Sequence, residues 1–134
     1  MKKNEIKNSA DMFLYKAIID FNSARALMKL FENNEIDIDI EKVYFDLQQT
    51  TEKLIKSILS KHNIKFKKIH DIEELLAVCK DNNISLMHDI ENLIDLTDYA
   101  VEGRYDIICD DIEDSDRYFE LVEAFIKFVQ EDKK

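Results

Sequence analysis

The sequence predicts an all-α fold, an antiparallel, up-and-down bundle of about five helices, four long and one short. Two observations support this prediction. The chain has one glycine and no proline in 134 residues, whereas sheets and long loops need those turn residues. Apolar residues, 46% of the chain, recur at steps of three and four, as they do on one face of a helix. A chain of this length is expected to form one domain over residues 1–134.

The first helix is predicted from about Ser9 to Glu32. One apolar line recurs at helical spacing: Phe13, Ala17, Phe21, Ala24, Met28 and Phe31. A second line lies on another side of the same helix: Tyr15, Ile19, Ala26 and Leu30. Since a surface helix of a bundle needs only one apolar stripe, this helix either sits centrally or meets another subunit.

The segment from Glu35 to Glu41 alternates acids with isoleucines, which is a period-2 pattern. A lone strand would have no partner, so we expect an extended connection whose isoleucines pack on the bundle. Asp39 is in position to cap the next helix. That second helix is predicted from about Ile40 to His62, with an inner line at helical spacing: Val43, Leu47, Thr51, Leu54, Ile58 and Leu59.

The third helix is predicted to be short, from Asp71 to Lys80. Asp71 and Glu74 have the spacing of a capping box, with Asp in the Ser/Thr position. The fourth is expected to start after Ser85 and to end at Gly103, since glycine adopts the left-handed conformation that often closes a helix. Its apolar line is Ile90, Leu93, Thr97 and Ala100.

The fifth helix is predicted to follow Asp114 and Ser115. Its inner residues are again at helical spacing, with two more apolar residues beside them: Tyr118, Val122, Phe125 and Val129, then Leu121 and Phe128. The first and fifth helices therefore both carry wide apolar faces, although an isolated bundle needs one stripe per helix. This excess leads us to expect a homodimer.

Charge is segregated along the chain, whose net charge is −10. Residues 53–68 hold six lysines and no acid, and residues 102–116 hold seven acids and a single base, Arg104. The two segments are either solvated ends that keep the protein soluble, or the lysine end meets phosphate from a nucleotide or RNA, or an acidic partner. The overall negative charge argues against RNA, because phosphate binding needs lysine and arginine.

The remaining composition limits the location of the chain and the metals it could hold. Cys79 and Cys109 fit no metal or redox spacing, and reduced thiols suit the cytoplasm. No apolar run approaches the ~20 residues of a membrane span, and no signal core follows the N-terminus. We therefore expect a cytoplasmic protein without membrane contact.

Several catalytic constellations are missing. None of the three histidines has a glutamate three residues before it, so the Glu-x-x-His pairs of a di-iron bundle are absent. In the acidic stretch from Asp106, an EF-hand would need glycine and glutamate where the chain has Asp111 and Arg117. One glycine cannot build a Gly-rich phosphate loop. We expect no metal, no cofactor and no complete catalytic site.

Two blocks of sequence resemble a known family. The first runs from Phe45 to Leu59 and contains Gln48-Gln49-x-x-Glu52-Lys53, followed by a His-Asp step at His70. The second is Gly103-Arg104-Tyr105 after the fourth helix. In this order and at this distance, they resemble the HEPN domain, a helical module named for nucleotide binding in higher eukaryotes and prokaryotes. Departures from the pattern are Ile72 for leucine and Asp106 for proline.

The resemblance implies a five-helix antiparallel bundle that is usually dimeric and is often encoded beside a minimal nucleotidyltransferase. It also implies two kinds of activity. Many HEPN domains are metal-independent RNases, often toxins, that carry an Arg-x4–6-His motif. Others lack the motif and act as noncatalytic partners or nucleotide-binding modules.

The residues of this chain favour the second kind. An RNase needs a base such as histidine for the ribose hydroxyl and a cation such as arginine for the phosphate. No histidine lies four to six residues after Arg25, Arg104 or Arg117. We therefore expect a noncatalytic dimeric module, paired with a minimal nucleotidyltransferase in a toxin–antitoxin-like system, with a nucleotide as a further candidate ligand. The alternatives are an RNase toxin whose atypical site gains His70 or His88 through space, and an adaptor without a small ligand.

The candidate binding residues come from both blocks: Gln49, Glu52, Lys53, Lys56, His70, Arg104 and Tyr105. Those of the second helix either form a surface stabilised by pairs such as Glu52–Lys56 or line a polar cleft shared with Arg104 and Tyr105. His70 either fixes the turn into the third helix or takes part in the site. Arg104 either makes a structural ion pair or binds phosphate.

Overall fold

The computed structural model of the chain describes residues 1–99 and 115–131, and it contains helices and no strand in that range. The expected all-α bundle is confirmed. Four α-helices and two 3₁₀ helices follow one another: a short 3₁₀ helix Lys3–Glu5, α1 Ser9–Glu32, α2 Ile40–Lys61, α3 Ile72–Asp81, a long 3₁₀ helix Ile90–Tyr99, and α4 Ser115–Glu131. No helix in the described part is both long and apolar enough to cross a membrane.

The central element of the bundle is α2, which packs against α1, α3, α4 and the long 3₁₀ helix. Its residues Leu47, Leu54, Ile55 and Leu59 are fully buried, and each such side chain stabilises the fold by about 1.5–3 kcal/mol. The alternative that the first helix sits centrally is therefore wrong. Only one of the two apolar lines of α1 is buried, and the helix packs with that line along one side of α2.

The predicted bounds of α1 are confirmed. Asn8 caps its N-terminus, since the side chain accepts a hydrogen bond from the Asp11 amide at 2.9 Å. The first apolar line faces the core, with Ala17, Phe21, Ala24 and Met28 buried and Phe13 and Phe31 half-buried. The second line faces outwards, and Ile19 and Leu30 remain 44% and 37% exposed.

The connection between α1 and α2 follows its alternating pattern only in part. Ile38 is half-buried against the core and Ile40 is buried, but Ile36 is 38% exposed, so the expectation that it packs on the bundle is wrong. Asp39 occupies the N-cap position of α2 as expected. Its backbone carbonyl accepts a hydrogen bond from the Lys42 amide at 2.9 Å, while its side chain makes no capping hydrogen bond.

The Asp71 half of the capping box predicted at the start of α3 is present. The Asp71 side chain accepts a hydrogen bond from the Glu74 amide at 3.3 Å. A second cap was not predicted. The amide of Ile72 donates a hydrogen bond to Thr97 Oγ1 at 3.1 Å. Thr97 belongs to the long 3₁₀ helix, so this bond ties the two elements together.

The fourth predicted helix differs from the observed one. The long 3₁₀ helix begins at Ile90, so Ser85 is not its N-cap, and the predicted end at Gly103 lies outside the described residues. Its buried line is Ile90, Leu93 and Leu96, whereas Thr97 was expected to face the core. This line has a period of three, which matches the three residues per turn of a 3₁₀ helix.

Asparagine ends three helices of the bundle. Asn34, Asn63 and Asn83 have φ angles of 59°, 56° and 58°, in the left-handed region that glycine most often fills. The next amide then donates to the carbonyl five residues earlier at 2.9 Å in each case: Glu35 to Leu30, Ile64 to Leu59, and Ile84 to Cys79. These are Schellman motifs, and they explain how a chain with one glycine stops its helices.

The last helix, α4, matches its predicted pattern. Tyr118, Val122, Phe125 and Val129 are buried. Its second apolar line, Leu121 and Phe128, is half-buried against the core. On the outside, a salt bridge between Arg25 and Glu123 joins α1 to α4. The wide apolar face of α4 therefore packs mainly against the core of the same chain, whereas the second apolar line of α1 faces outwards.

Candidate functional site

Three polar side chains lie four residues apart on one face of α2, and the fold buries them. Gln48 is 0% exposed, Glu52 3% and Lys56 8%. Residues at this spacing share a helix face because an α-helix turns once in 3.6 residues. Buried polar groups are tolerated only when they are hydrogen-bonded, so the partners of these three side chains define the candidate site.

The carboxylate of Glu52 is the centre of a hydrogen-bond network. Lys56 Nζ donates to Glu52 Oε1 at 2.5 Å, and His70 Nδ1 lies 2.8 Å from the same oxygen. Gln48 Nε2 donates to Glu52 Oε2 at 3.2 Å. An ionised carboxylate only accepts hydrogen bonds, so the hydrogen of the histidine contact sits on Nδ1. One buried anion is thus held by an ammonium, an imidazole and an amide.

The same network fastens the connection between α2 and α3 to the bundle. Gln48 Nε2 also donates to the backbone carbonyl of His70 at 3.1 Å. Further along, the ring of Phe66 packs 6.1 Å from the ring of Phe13, and Lys56 Nζ lies 5.9 Å from the Phe66 centroid. The ammonium group of Lys56, a residue that is 8% exposed, therefore has an aromatic ring of this connection beside it.

Among the described members of the network, His70 is the most exposed. The His70 side chain is 65% exposed, whereas the Glu52 side chain is 3% exposed. A ligand approaching from solvent would therefore meet the imidazole first. Exposed lysines lie at the last residue of α2 and along the connection before His70: Lys61, then Lys65, Lys67 and Lys68. An anionic group is the chemistry that this surface fits.

The candidate residues are brought together only in part. Gln49 joins the network, since its Nε2 donates to Gln48 Oε1 at 2.7 Å, so Gln49, Glu52, Lys56 and His70 share one cluster. Lys53 does not join them, because its Nζ pairs with Asp20 of α1 at 2.5 Å. Arg104 and Tyr105 lie outside the described residues, and so does any cleft that they would share with α2.

The family of the chain follows from a match along most of its sequence rather than from this cluster alone. A sequence model described as the HEPN domain matches residues 10–132, which covers the four α-helices except Ser9 and includes the Glu52 network. The chain belongs to the HEPN domain family. It matches no curated protein and no solved structure. HEPN domains are often found in toxin–antitoxin and RNase-type systems.

The expected ion pair between Glu52 and Lys56 is present in this HEPN domain. One of the two interpretations placed this pair on the surface of the second helix. A solvated helix surface is wrong for both residues, because the pair lies in the interior. The physical reason is that the connection packs on this face of α2, where His70 bonds to both Gln48 and Glu52. His70 fixes this connection, as one interpretation had it, and is also part of the cluster.

Sequence reasoning missed Gln48 as a member of the site. It was noted only as half of a Gln-Gln step. The sequence contains a signal for Gln48. It precedes Glu52 by four residues, the same spacing that places Glu52 and Lys56 on one helix face. Thr97 was also missed as a cap, because it was assigned to an apolar line.

Two arginines and one histidine of the described part of the HEPN domain make contacts outside the Glu52 network. The Arg25 guanidinium is held by Glu123 and lies 4.6 Å from the Phe21 centroid. Arg117 lies 5.3 Å from the Tyr118 centroid. His88 Nε2 is 3.1 Å from an Asp89 oxygen on the surface. Within residues 1–99 and 115–131, moreover, no three histidine, cysteine or acidic side chains cluster closely enough to hold a metal ion.

Two grooves in the described part of the HEPN domain lie away from Glu52. One, of about 440 Å³, lies where the start of α1 meets the end of α2, beside Asn8 and Lys61. The other, of about 750 Å³, runs between α3 and the long 3₁₀ helix, beside Leu76 and Met87. Neither groove is lined by Glu52 or His70.

Proposed function

We propose that this HEPN domain is a noncatalytic binding module. It forms a homodimer and pairs with a minimal nucleotidyltransferase in a toxin–antitoxin-like system, with a nucleotide as a further ligand. The observation that supports the noncatalytic role is the saturation of Glu52. Its carboxylate is held by Lys56, His70 and Gln48 of the same chain. The hydrogen-bonding capacity of Glu52 is therefore used within the protein.

Two lysines in the middle of α2 support the same conclusion. Stabilising the charge of a phosphate in a transition state requires a cation that reaches the substrate. The Lys56 side chain is only 10% exposed and bonded to Glu52 of the same helix, and Lys53 is bonded to Asp20 of α1. Both ammonium groups are therefore committed to ion pairs within the bundle.

The binding role is supported by the surface beside the network. His70 and the lysines of the α2–α3 connection are exposed, and a lysine-rich segment in a chain of net charge −10 attracts anions locally. An acidic face of a partner protein or the phosphates of a nucleotide would fit there. Because His70 is hydrogen-bonded to the buried carboxylate of Glu52, a ligand bound at this surface would be coupled to the interior of the bundle.

The first experiment measures RNA cleavage. Purified protein is incubated with radiolabelled total RNA, with a metal-independent RNase as the positive control. We expect the RNA to stay intact, both with the isolated chain and after any bound protein has been removed. Cleavage that copurifies with the chain would overturn the noncatalytic role.

The second experiment measures partners and ligands. The tagged chain is purified from its native cells, and we expect a protein with a minimal nucleotidyltransferase domain to copurify. Light scattering is expected to show a dimer, and a monomer at every concentration would remove that part of the proposal. A rise in melting temperature with ATP would support the nucleotide. No shift with any nucleotide would favour an adaptor without a small ligand.

One observation favours a second candidate, an RNase with an atypical site. A carboxylate that fixes the Nδ1 hydrogen of a histidine prepares the other ring nitrogen to act as a base, and Glu52 and His70 have this relationship. If RNA is cleaved, a His70→Ala variant should lose the activity and a His88→Ala variant should keep it. Equal activity in both variants would exclude His70 as the base.

A further inference from the structure

The connection from α2 to α3 contains four consecutive residues whose backbone amides have no protein acceptor. In the part of the chain that the structure describes, the amides of residues 65–68 donate to no protein atom. The flanking amides of Ile64 and Ile69 are both bonded within the chain. Backbone amides are obligatory donors, so the four amides between them are left for water or for a partner.

The side chains of this segment alternate between core and solvent. Ile64 and Phe66 are half-buried against the core, whereas Lys65 and Lys67 are exposed. Residues 64–67 form neither helix nor turn, and a period of two is that of an extended chain. The two lysines therefore lie on one side of the segment, about 7 Å apart.

The segment of residues 64–68 is held in place by the rest of the fold. The ring of Phe66 packs 6.1 Å from the ring of Phe13. Just beyond the segment, His70 is bonded to α2 through its ring and its backbone carbonyl. A segment that is already fixed loses little conformational entropy when a ligand binds to it.

The charges around segment 64–68 limit the length of an anionic partner. Lys65, Lys67 and Lys68 attract negative groups. Glu73 and Glu74 follow in the first turn of α3, and both are exposed. An anionic stretch longer than the segment would approach these carboxylates, and like charges repel. A short acidic stretch therefore fits better than a long polyanion.

Single-stranded RNA is a poorer occupant for two further reasons. Proteins that bind it offer aromatic rings on which the bases stack, but the ring of Phe66 is packed on Phe13. The net charge of −10 repels a phosphate chain as a whole. The free amides, by contrast, match the regularly spaced carbonyl groups of a polypeptide.

We propose that segment 64–68 binds an extended acidic segment of a partner protein, which adds to it as a β-strand. Carbonyl groups of the partner accept hydrogen bonds from the amides of alternate residues. Two acidic side chains, two residues apart, lie opposite Lys65 and Lys67 and pair with them. This inference rests on the binding role proposed above and names the feature of the partner protein that the domain recognises.

Binding of model ligands tests the kind of partner. Fluorescence anisotropy measures the affinity of the full chain for a labelled peptide in which glutamate alternates with threonine. A control peptide carries proline at its central threonine and so loses a main-chain donor. We expect the alternating peptide to bind about fivefold more tightly than the control, and a uridine oligonucleotide of equal charge to bind more weakly than either. Equal affinity for the two peptides, or tighter binding of the oligonucleotide, would overturn the inference.

A pair of double variants tests the position of the site. Lys65→Gln, Lys67→Gln should weaken binding of the alternating peptide about tenfold. Lys16→Gln, Lys29→Gln changes the net charge equally at two exposed lysines of α1 and should bind as the wild type does. Circular dichroism should show the same helix content in both variants. Equal weakening in both would assign the effect to overall charge and contradict a site at segment 64–68.

Hydrogen exchange tests the backbone pairing. Successive amides of a strand point to opposite edges, so the bound peptide should slow exchange at residues 65 and 67 or at residues 66 and 68. Four amides that exchange as fast with peptide as without it would show binding by charge alone and overturn the β-strand addition.

Copurification from native cells separates this inference from the proposed function. If the peptide does not bind and the Lys65→Gln, Lys67→Gln variant retains a nucleotidyltransferase partner, segment 64–68 is excluded while the proposed function stands. If the peptide binds as described and no such protein copurifies, the proposed nucleotidyltransferase falls while the acidic-strand site stands.

Discussion

His70 Nδ1 lies 2.8 Å from Glu52 Oε1, and Lys56 Nζ lies 2.5 Å from that same oxygen. One buried carboxylate oxygen therefore joins two positions of α2 with the connection that follows it. Charge-assisted hydrogen bonds of this kind are about twice as strong as neutral ones. The arrangement couples the inner face of a helix to a residue that solvent can reach.

The first prediction concerns the Glu52 charge. Glu52→Gln keeps the shape of the side chain but leaves the Lys56 ammonium buried without an anion. Breaking a buried pair in this way destabilises proteins by about 3–5 kcal/mol. We expect urea denaturation to show a loss of about 3 kcal/mol in the free energy of unfolding, with an unchanged m-value.

Two variants control this result. Asp20→Asn breaks the half-exposed pair with Lys53 and should cost less than about 1 kcal/mol. The double variant Glu52→Gln, Lys56→Met removes both buried charges and should recover more than half of the loss. A Glu52→Gln protein as stable as the wild type would show that the interior pair is not structural.

The second prediction concerns the left-handed asparagines. Asn63→Ala places a β-carbon without a compensating side chain at a φ of 56° and should destabilise the protein by about 1 kcal/mol. Asn63→Gly should be neutral or stabilising, because glycine adopts this region freely. Thermal unfolding measures both. Asn33→Ala is the control, since Asn33 has a φ of −86° and its replacement should change the melting temperature little.

The third prediction concerns Thr97 as a cap of α3. Thr97→Val replaces the hydroxyl with a methyl group and removes the acceptor of the amide of Ile72, a fully buried residue. An unsatisfied buried donor costs about 1–3 kcal/mol. We expect a loss of at least 1 kcal/mol in chemical denaturation. Thr97→Ser retains the hydroxyl, and equal losses in the two variants would argue against the hydrogen bond.

The fourth prediction concerns the Cys79 thiol. Burial raises its pKa from 9.0 to about 11, because desolvation disfavours the thiolate. Between those values the unfolded chain releases the proton and the folded chain keeps it, so stability falls as pH rises from about 9 to about 11. The fall attributable to this group is at most about 2.7 kcal/mol.

Comparison with Cys79→Ala measures that fall, since other groups also titrate in this range. The wild type should lose more stability than the variant between pH 9 and pH 11. In a Cys109→Ser background at pH 8, iodoacetamide should modify Cys79 only after unfolding. Rapid modification of the native protein would contradict the buried, protonated thiol.

Much of the fold could be predicted from periodicity. The bounds of α1 and the buried line of α4 follow from apolar residues at helical spacing, and α3 follows from the Asp71 cap. The fourth helix was mispredicted because its apolar residues repeat every three positions. Such a pattern fits both helix types over a short window, and the observed 3₁₀ helix buries Leu93 and Leu96 at that period.

The candidate site could be predicted less well. The spacing of Glu52 and Lys56 predicted their ion pair correctly. Their burial depends on the connection carrying Phe66 and His70, whose path over α2 is a tertiary property that local pattern does not contain. The asparagine caps were not predicted, because the left-handed position was assigned to glycine, whereas Asn63 adopts it with a φ of 56°.

The central position of α2 determines how the molecule opens. Leu54 and Ile55 in the middle of this helix are 0% exposed, and α2 as a whole packs against α1, α3, α4 and the long 3₁₀ helix. Exchange of the backbone amides of Leu54 and Ile55 with deuterated water therefore requires the whole molecule to unfold, and its free energy equals the global value. Amides at the outer end of α1, near Leu30, can exchange through local fraying. Deuterium uptake should thus divide the chain into a slow centre and a fast rim.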